Sequence, residues 1–236
     1  MAAPTDAFEF PRTGKKAPNR AVVAAMTNKQ SNEDGTLSDE EISWLTRRAE
    51  GGFGIVTTAA THVVPEGQGW DGVMGVWGDH QLPGLTRLAA GLNEYGAISL
   101  AQIFHGGMRC PQRLTGVQPV SASINSTSDS DNGETRELED TEIEELVEAF
   151  AMAAARCEKA GFHGVEIHGA HGYLVCQFLG TELIVERIDG AVHSRIELAS
   201  CSESLRELGR LPVMNSFSGL GFLQSIRKLE LCLKTR

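Results

Sequence analysis

The run Gly161–Leu179, read as GFHGVEIHGAHGYLVCQFL, passes from an apolar segment into a turn carrying His168, His171 and Tyr173. Two imidazoles and a phenol so close in sequence can converge on one ligand, and both groups can donate hydrogen bonds or protons. Taken alone, the two histidines also fit an ordinary strand-end turn. A metal site is the third reading, with Glu166 or His163 as a further ligand. Strand alternation sends Glu166 and His168 to one side and His163 to the other, so HxxH here lacks a convincing third ligand and no metal is expected. Gln102 sits in another apolar run, where a buried amide needs a partner. Cys176 has no flanking cation and reads as a small packed residue.

These residues need elements to hold them. Four short apolar runs recur: Ala21–Met26, Phe53–Ala60, Ala97–Phe104 and Gly164–His168. They are nearly continuous rather than alternating, as strands buried on both faces of a parallel sheet are. Helical patterns lie between them. Ser38 and Glu41 read as a capping box, with Ile42, Leu45 and Ala49 on one face and Gly51 as the stop. A second helix spans Leu82–Tyr95. In a third, Thr141 and Glu144 cap a stripe of Ile143, Leu146, Val147, Phe150 and Ala154 that ends before Gly161. The polar stretch Gly106–Asp140 reads as an inserted loop, mobile at its Ser/Asn/Asp-rich centre.

Strand and helix alternating four times argue for an α/β fold with a parallel sheet. No GxGxxG follows the first strand, which disfavours a dinucleotide-binding domain of the doubly wound type. Thr27, Thr58, Gln102, His105, His168 and His171 all fall toward the carboxyl ends of strands, where a (β/α) barrel keeps its chemistry.

The composition narrows the class. The chain has 236 residues, 41% of them hydrophobic, which suits one domain with a sizeable core. A net charge of −10 supplies repulsion where phosphate contacts need cations, so neither a nucleic-acid nor an anionic-membrane partner is expected. The five cysteines are scattered and lack a CxxC pair, as in a reduced compartment. The amino-terminal segment has no apolar signal-like core, and no apolar run approaches the roughly 18 residues of a membrane helix. A cytoplasmic location is expected.

Four long motifs, NRAVVAAMTNKQSNEDG, RRAEGGFGIVTTAATHVVPEGQG, LAQIFHGGMR and GFHGVEIHGAHGYLVCQFL, resemble the old yellow enzyme family of FMN-dependent ene-reductases over about Phe8–Leu179. The resemblance implies a (β/α)8 TIM barrel with FMN at its mouth and NAD(P)H as reductant. It places Ala25, Met26 and Thr27 against the isoalloxazine, with Thr58 nearby and the Gln102 amide on the flavin pyrimidine edge. His168 and His171 resemble the pair that holds a substrate carbonyl or nitro oxygen, and Tyr173 the proton donor. The implied substrate is a small molecule with an electron-poor alkene. Lys29 stands where many members place an aromatic residue over the substrate, and Thr27 occupies a position that tunes flavin potential in the family. No oligomeric state is implied.

After Leu179 the likeness ends, since members continue with Asn-Arg-Arg-Thr-Asp and later Glu-Asn-Arg. Here Ile184–Leu198 reads IVERIDGAVHSRIEL, which codons read one base earlier can turn into NRRTDRWSGSFENRA. The expectation is a frameshift near Leu183, a barrel with about four βα units, and an unrelated, poorly ordered tail over residues 180–236. A barrel of this type takes about 250 residues, and the family's phosphate site follows strands seven and eight. Weak or absent flavin binding is therefore expected. The alternatives are a non-catalytic remnant without stable flavin binding, and a fragment of a multidomain flavin–iron–sulfur relative.

Overall fold

The computed structural model describes residues 2–11, 13–179 and 213–214. A short antiparallel hairpin, β1 (Phe8–Glu9) with β2 (Lys16–Ala17), precedes the first barrel strand, β3 (Val22–Val23). The other runs form β4 (Ile55–His62), β5 (Ile98–Phe104) and β8 (Gly164–Ile167); between β5 and β8 the chain pairs two short strands, β6 (Val120–Ser121) and β7 (Arg136–Glu137). The main sheet is parallel throughout, in the order β3-β4-β5-β8-β9, where β9 is Val213–Met214. β9 pairs with Val165 and Glu166, so a fifth strand joins the four read from the sequence and covers part of the β8 edge. Apart from β9, the 180–236 segment lies outside the described residues.

Side-chain alternation divides the sheet into two faces. Val23, Val56, Ala101, Ile103 and Val165 point outward into the main core, against the helices. The helices are α1 (Asp39–Glu50), α2 (Leu82–Glu94) and α4 (Asp140–Ala160), after a single-turn α3 (Gln112–Thr115). Leu45 from α1, Leu85, Leu88 and Leu92 from α2, and Ala153 and Ala154 from α4 are essentially solvent-free there. Each leucine so buried contributes about 1.5–3 kcal/mol. The inward face is closed at its amino-terminal end by Ala17, Ile55, Ile98 and Leu100, with Phe8 and Phe10 packed beneath. The β1–β2 hairpin is thus a floor, and the open, carboxyl end is a mouth. The arrangement is an arc of a (β/α)8 barrel.

Two helix starts differ from the sequence reading. α4 is capped by Glu139 rather than Thr141; the Glu139 backbone N–H donates to Glu142 Oε2 at 2.8 Å. The Glu142 carboxylate also binds Arg136, so the acid that can reach an arginine claims the cap. In α1, Ser38 Oγ does accept from the Glu41 N–H at 3.1 Å. The Glu41 carboxylate, however, turns inward, where it accepts from Asn28 Nδ2 at 2.9 Å and from the Ser31 hydroxyl. The Gly106–Asp140 stretch, expected as a mobile loop, is cross-linked internally. Asn125 N–H donates to Thr135 Oγ1 at 2.8 Å, Thr127 Oγ1 to the Met108 carbonyl at 2.9 Å, and β6 pairs with β7. Polar side chains that suggest flexibility in sequence here satisfy backbone groups.

Glu41 is fully buried, and desolvation raises its pKa above 4.5 against the opposing bonds from Ser31 and Asn28. Because the folded state then holds that proton more tightly than the unfolded chain, Glu41 contributes most stability when protonated. That contribution is lost as pH rises through its folded pKa. Glu41→Gln is expected to flatten the stability profile between pH 4.5 and 7 without loss at pH 7. Glu41→Ala, which strands the Asn28 and Ser31 donors, should cost about 1–3 kcal/mol. Urea denaturation of both variants across this pH range checks the pair; a Gln variant no more stable than the Ala variant contradicts it.

Candidate active site

The register of β5 on β8 builds the site. Gln102 lies opposite Glu166 and Ile103 opposite Ile167, so Gln102, Glu166 and the following His168 all face the barrel interior. Gln102 Nε2 donates to Glu166 Oε1 at 2.6 Å, which fixes the amide's orientation in the cleft wall. His163, on the other parity, binds the Ser99 N–H through Nδ1 at 3.1 Å and takes no part.

A cleft of about 340 Å³ opens at this mouth. Among the residues expected from the sequence, its walls bring together Ala25, Thr27, Gln102, His168, His171 and Tyr173. Met26 and Thr58 do not line it. Met26 is 50% exposed. Thr58 is turned away by a bulge: Thr57 pairs with Leu100 but Ala60 with Gln102, so β4 carries one extra residue. Thr58 Oγ1 sits in that irregularity, accepting from the Gln102 N–H at 3.1 Å and donating to the Ala59 carbonyl at 2.8 Å. Thr57 and Ala60 face the cleft in its place.

The catalytic-looking side chains cluster tightly. Ring centroids lie 5.0 Å apart for His168–His171, 4.9 Å for His168–Tyr173 and 6.4 Å for His171–Tyr173. The turn that presents them is unusual. His171 has φ +58, a conformation that side chains with a Cβ rarely adopt, followed by Gly172 at φ +69. Such a turn persists only when its surroundings hold it. Gln177, from α5 (Leu174–Leu179), does so: fully buried, it donates through Nε2 to the Gly172 carbonyl at 2.6 Å and accepts from the Met108 N–H at 3.2 Å. Gly107 is the close approach this clamp needs, since a Cβ there would lie 2.5 Å from Gln177 Oε1.

Trp70 and Gln177 were not singled out from the sequence. Trp70 belongs to a strap that leaves β4 and returns to it, with the His62 N–H donating to the Met74 carbonyl at 2.9 Å. Its ring stacks on Phe104 at 5.2 Å, and Phe104 meets the Tyr173 ring edge-on at 5.2 Å. Glu166, considered in the sequence as a metal ligand, instead accepts from Gln102. A glutamine inside the apolar VCQFL run and a tryptophan after Gly67-Gln68-Gly69 were the available signals for Gln177 and Trp70.

The electrostatics follow from burial. Desolvation first, and the neighbouring His171 second, push His168 down to about 4, so it is neutral at physiological pH. The Ala170 N–H donates to His168 Nδ1 at 3.4 Å, which leaves the proton on Nε2. Burial raises the Tyr173 phenol, and the Arg109 charge opposes that rise. His105, behind the site, is pushed down to about 3 by burial and accepts the Gly107 N–H at 3.0 Å. A neutral imidazole N–H and a protonated phenol therefore converge on a cleft whose lining also offers an oriented amide. That arrangement can hold an oxygen that gains negative charge and deliver a proton beside it.

Comparison with known proteins agrees with this geometry. The NADH:flavin oxidoreductase / NADH oxidase family matches residues 14–190, eleven residues beyond Leu179. A probable NADH-dependent flavin oxidoreductase of Bacillus subtilis, YqiG, is 41% identical over 173 residues, 72% of this chain and 45% of its own length. Among solved structures, the old yellow enzyme homologue from Zymomonas mobilis superposes with a TM-score of 0.78 at 28% identity, covering 91% of this chain and 63% of that one. A 2-naphthoyl-CoA reductase complex superposes at 0.83 with 26% identity, covering 97% of this chain and 38% of its own. The chain spans about half the length of the curated relative it matches. These relatives carry the barrel fold, and the family works with FMN and a nicotinamide reductant. The chain belongs to the NADH:flavin oxidoreductase / NADH oxidase family, the old yellow enzyme group.

Proposed function

We propose that the cleft seats the isoalloxazine of FMN and that its rim reduces the electron-poor C=C bond of a small molecule. The observation that carries this reading is the meeting of His168, His171 and Tyr173 over the wall that holds Gln102, Ala25 and Thr27. The cleft volume falls within the roughly 300–1,000 Å³ of small-molecule sites. Bound FMN, reduced by NAD(P)H, would supply a hydride to the alkene β-carbon. Gln102, oriented by Glu166, would hold the pyrimidine edge, and the backbone from Ala25 to Thr27, Met26 included, would hold the ring. Thr58 contributes indirectly, by fixing the β4 bulge that turns Thr57 and Ala60 inward. The His168 Nε2–H and the His171 imidazole grip the substrate oxygen as charge builds on it. The Tyr173 phenol gives its proton to the α-carbon and regains one from solvent.

A second reading is favoured by one feature: among the described residues, the cleft lining contains no lysine or arginine. These residues can grip a flavin by its ring but offer no cation to a phosphate. The corresponding reading is a chain that holds flavin too weakly for turnover, with residues 1–179 supplying the amino-terminal half of the barrel.

Two outcomes are expected. Riboflavin and FMN should bind within about threefold of one another by fluorescence quenching, because each charge-assisted phosphate bond, worth about 1.5–3 kcal/mol, is missing from this lining. A tenfold or greater preference for FMN would place a phosphate grip in the chain and overturn the second reading. With flavin supplied in excess, Tyr173→Phe should slow reoxidation by an activated enone about 10²-fold while leaving reduction by NAD(P)H unchanged. An equal loss in both half-reactions, measured by stopped-flow absorbance, contradicts the proton-donor role. His168 should stay neutral from pH 5.5 to 8 and take up its proton near pH 4, which imidazole 15N shifts report directly.

A further inference from the structure

Tyr173 presents a problem for an acid. Its phenol is half-buried against Trp70 and Phe104, and that burial raises its pKa, making it a poorer proton donor. One exposed residue acts against this. Arg109 closes the turn that follows β5, and its guanidinium carbon lies 5.1 Å from the Tyr173 ring centroid. The same guanidinium donates to the His171 carbonyl at 2.8 Å.

We propose that Arg109 is a positioning residue for both groups: it holds the left-handed His171 turn by its carbonyl and places a fixed positive charge against the Tyr173 phenol, making that phenol a better acid.

The turn bearing Arg109 is itself anchored, which gives the charge a defined place. Arg109 N–H donates to the Gly106 carbonyl at 3.2 Å, and the adjacent Met108 N–H to the buried Gln177 at 3.2 Å. Gln177 also ties down Gly172, so one buried amide sets both the turn that carries the cation and the turn that carries its targets. The other titratable groups around the phenol do not replace Arg109. His168 is held neutral by burial, and the Cys110 thiol is pushed up to about 12. His171 flanks the phenol from its own turn, at a 6.4 Å ring separation, and Glu166, on β8, lines the cleft and binds Gln102. Trp70 and Phe104 bring no charge. A cation against a ring face favours the electron-rich phenolate over the phenol. The geometry also explains how His171 keeps φ +58, since its carbonyl is captured by a donor from another element.

The proposal rests on the reading of Tyr173 as proton donor, but its test does not. The chain has only two tyrosines, Tyr95 and Tyr173, so Tyr95→Phe leaves a single phenol to titrate. In that background, 3-fluorotyrosine incorporation brings the ionisation into a milder pH range, and 19F NMR follows it on the full chain. Arg109→Gln is expected to raise the Tyr173 midpoint measurably, and Arg109→Lys to restore most of the difference. Arg109→Met, which keeps an apolar stem over the ring, should raise it as well and stands in if the Gln variant fails to fold by circular dichroism. A midpoint unchanged in the uncharged variants, or equally raised by lysine, overturns the proposal. If the midpoint moves as expected while Tyr173→Phe leaves enone reduction unaffected, the Arg109 coupling stands and the proton-donor reading falls.

Discussion

The parallel register between β5 and β8 is the constraint on which the site depends. Because Leu100 pairs with Gly164 and Gln102 with Glu166, the amide, the carboxylate and His168 share the inward face while Ala101, Ile103 and Val165 fill the core behind. A one-residue slip of β8 would send Glu166 and His168 into the helix layer and turn Val165 and Ile167 into the cleft. The cost of such a slip protects the register: it would bury an imidazole and a carboxylate without partners, at about 1–3 kcal/mol or more each. The apolar stripes of α2 and α4 therefore support the chemistry indirectly, by making the alternative pairing unaffordable.

From that register the rest of the site is assembled in layers. The floor of Phe8, Phe10 and Ala17 closes the lower end. Buried polar groups then fix what rises from the floor. Glu41 holds the loop after β3 through Asn28 and Ser31, Thr58 fills the β4 bulge, and Gln177 clamps the turns on either side of the rim. Each is a buried side chain whose hydrogen bonds go to backbone or to partners on another element, which makes the rim rigid without making it apolar. A neutral His168 is the electrostatic product of this enclosure.

The sequence carried the fold class and most of the site because both rest on strong local signals. Continuous apolar runs between capped amphipathic helices gave the βα repeat. The HGAHGY turn and Gln102 lie within long motifs resembling one family, and the cleft gathers these residues with Ala25 and Thr27. What was not legible depends on contacts distant in sequence. The bulge that exchanges Thr58 for Thr57 is a property of the β4–β5 pair, and neither strand shows it alone. Glu41 looked like a capping acid until Asn28 and Ser31 were brought beside it. Trp70 reaches the rim only because its strap doubles back on β4. The internal cross-links of the polar 106–140 segment were not legible either, because Asn125 and Thr135 meet the same stretch of backbone only once the segment folds back on itself.

The central claim is that the inward face from Ala25 and Thr27 to Gln102 is a flavin seat beneath the His168–His171–Tyr173 rim. Its most direct test is a crystal structure of the chain grown with saturating riboflavin or FMN. The expected result is an isoalloxazine ring in this cleft, with the Gln102 amide within about 3.2 Å of its pyrimidine edge and the three rim side chains over its other face. A flavin bound elsewhere on the molecule, or seated with Gln102 out of reach, contradicts the account.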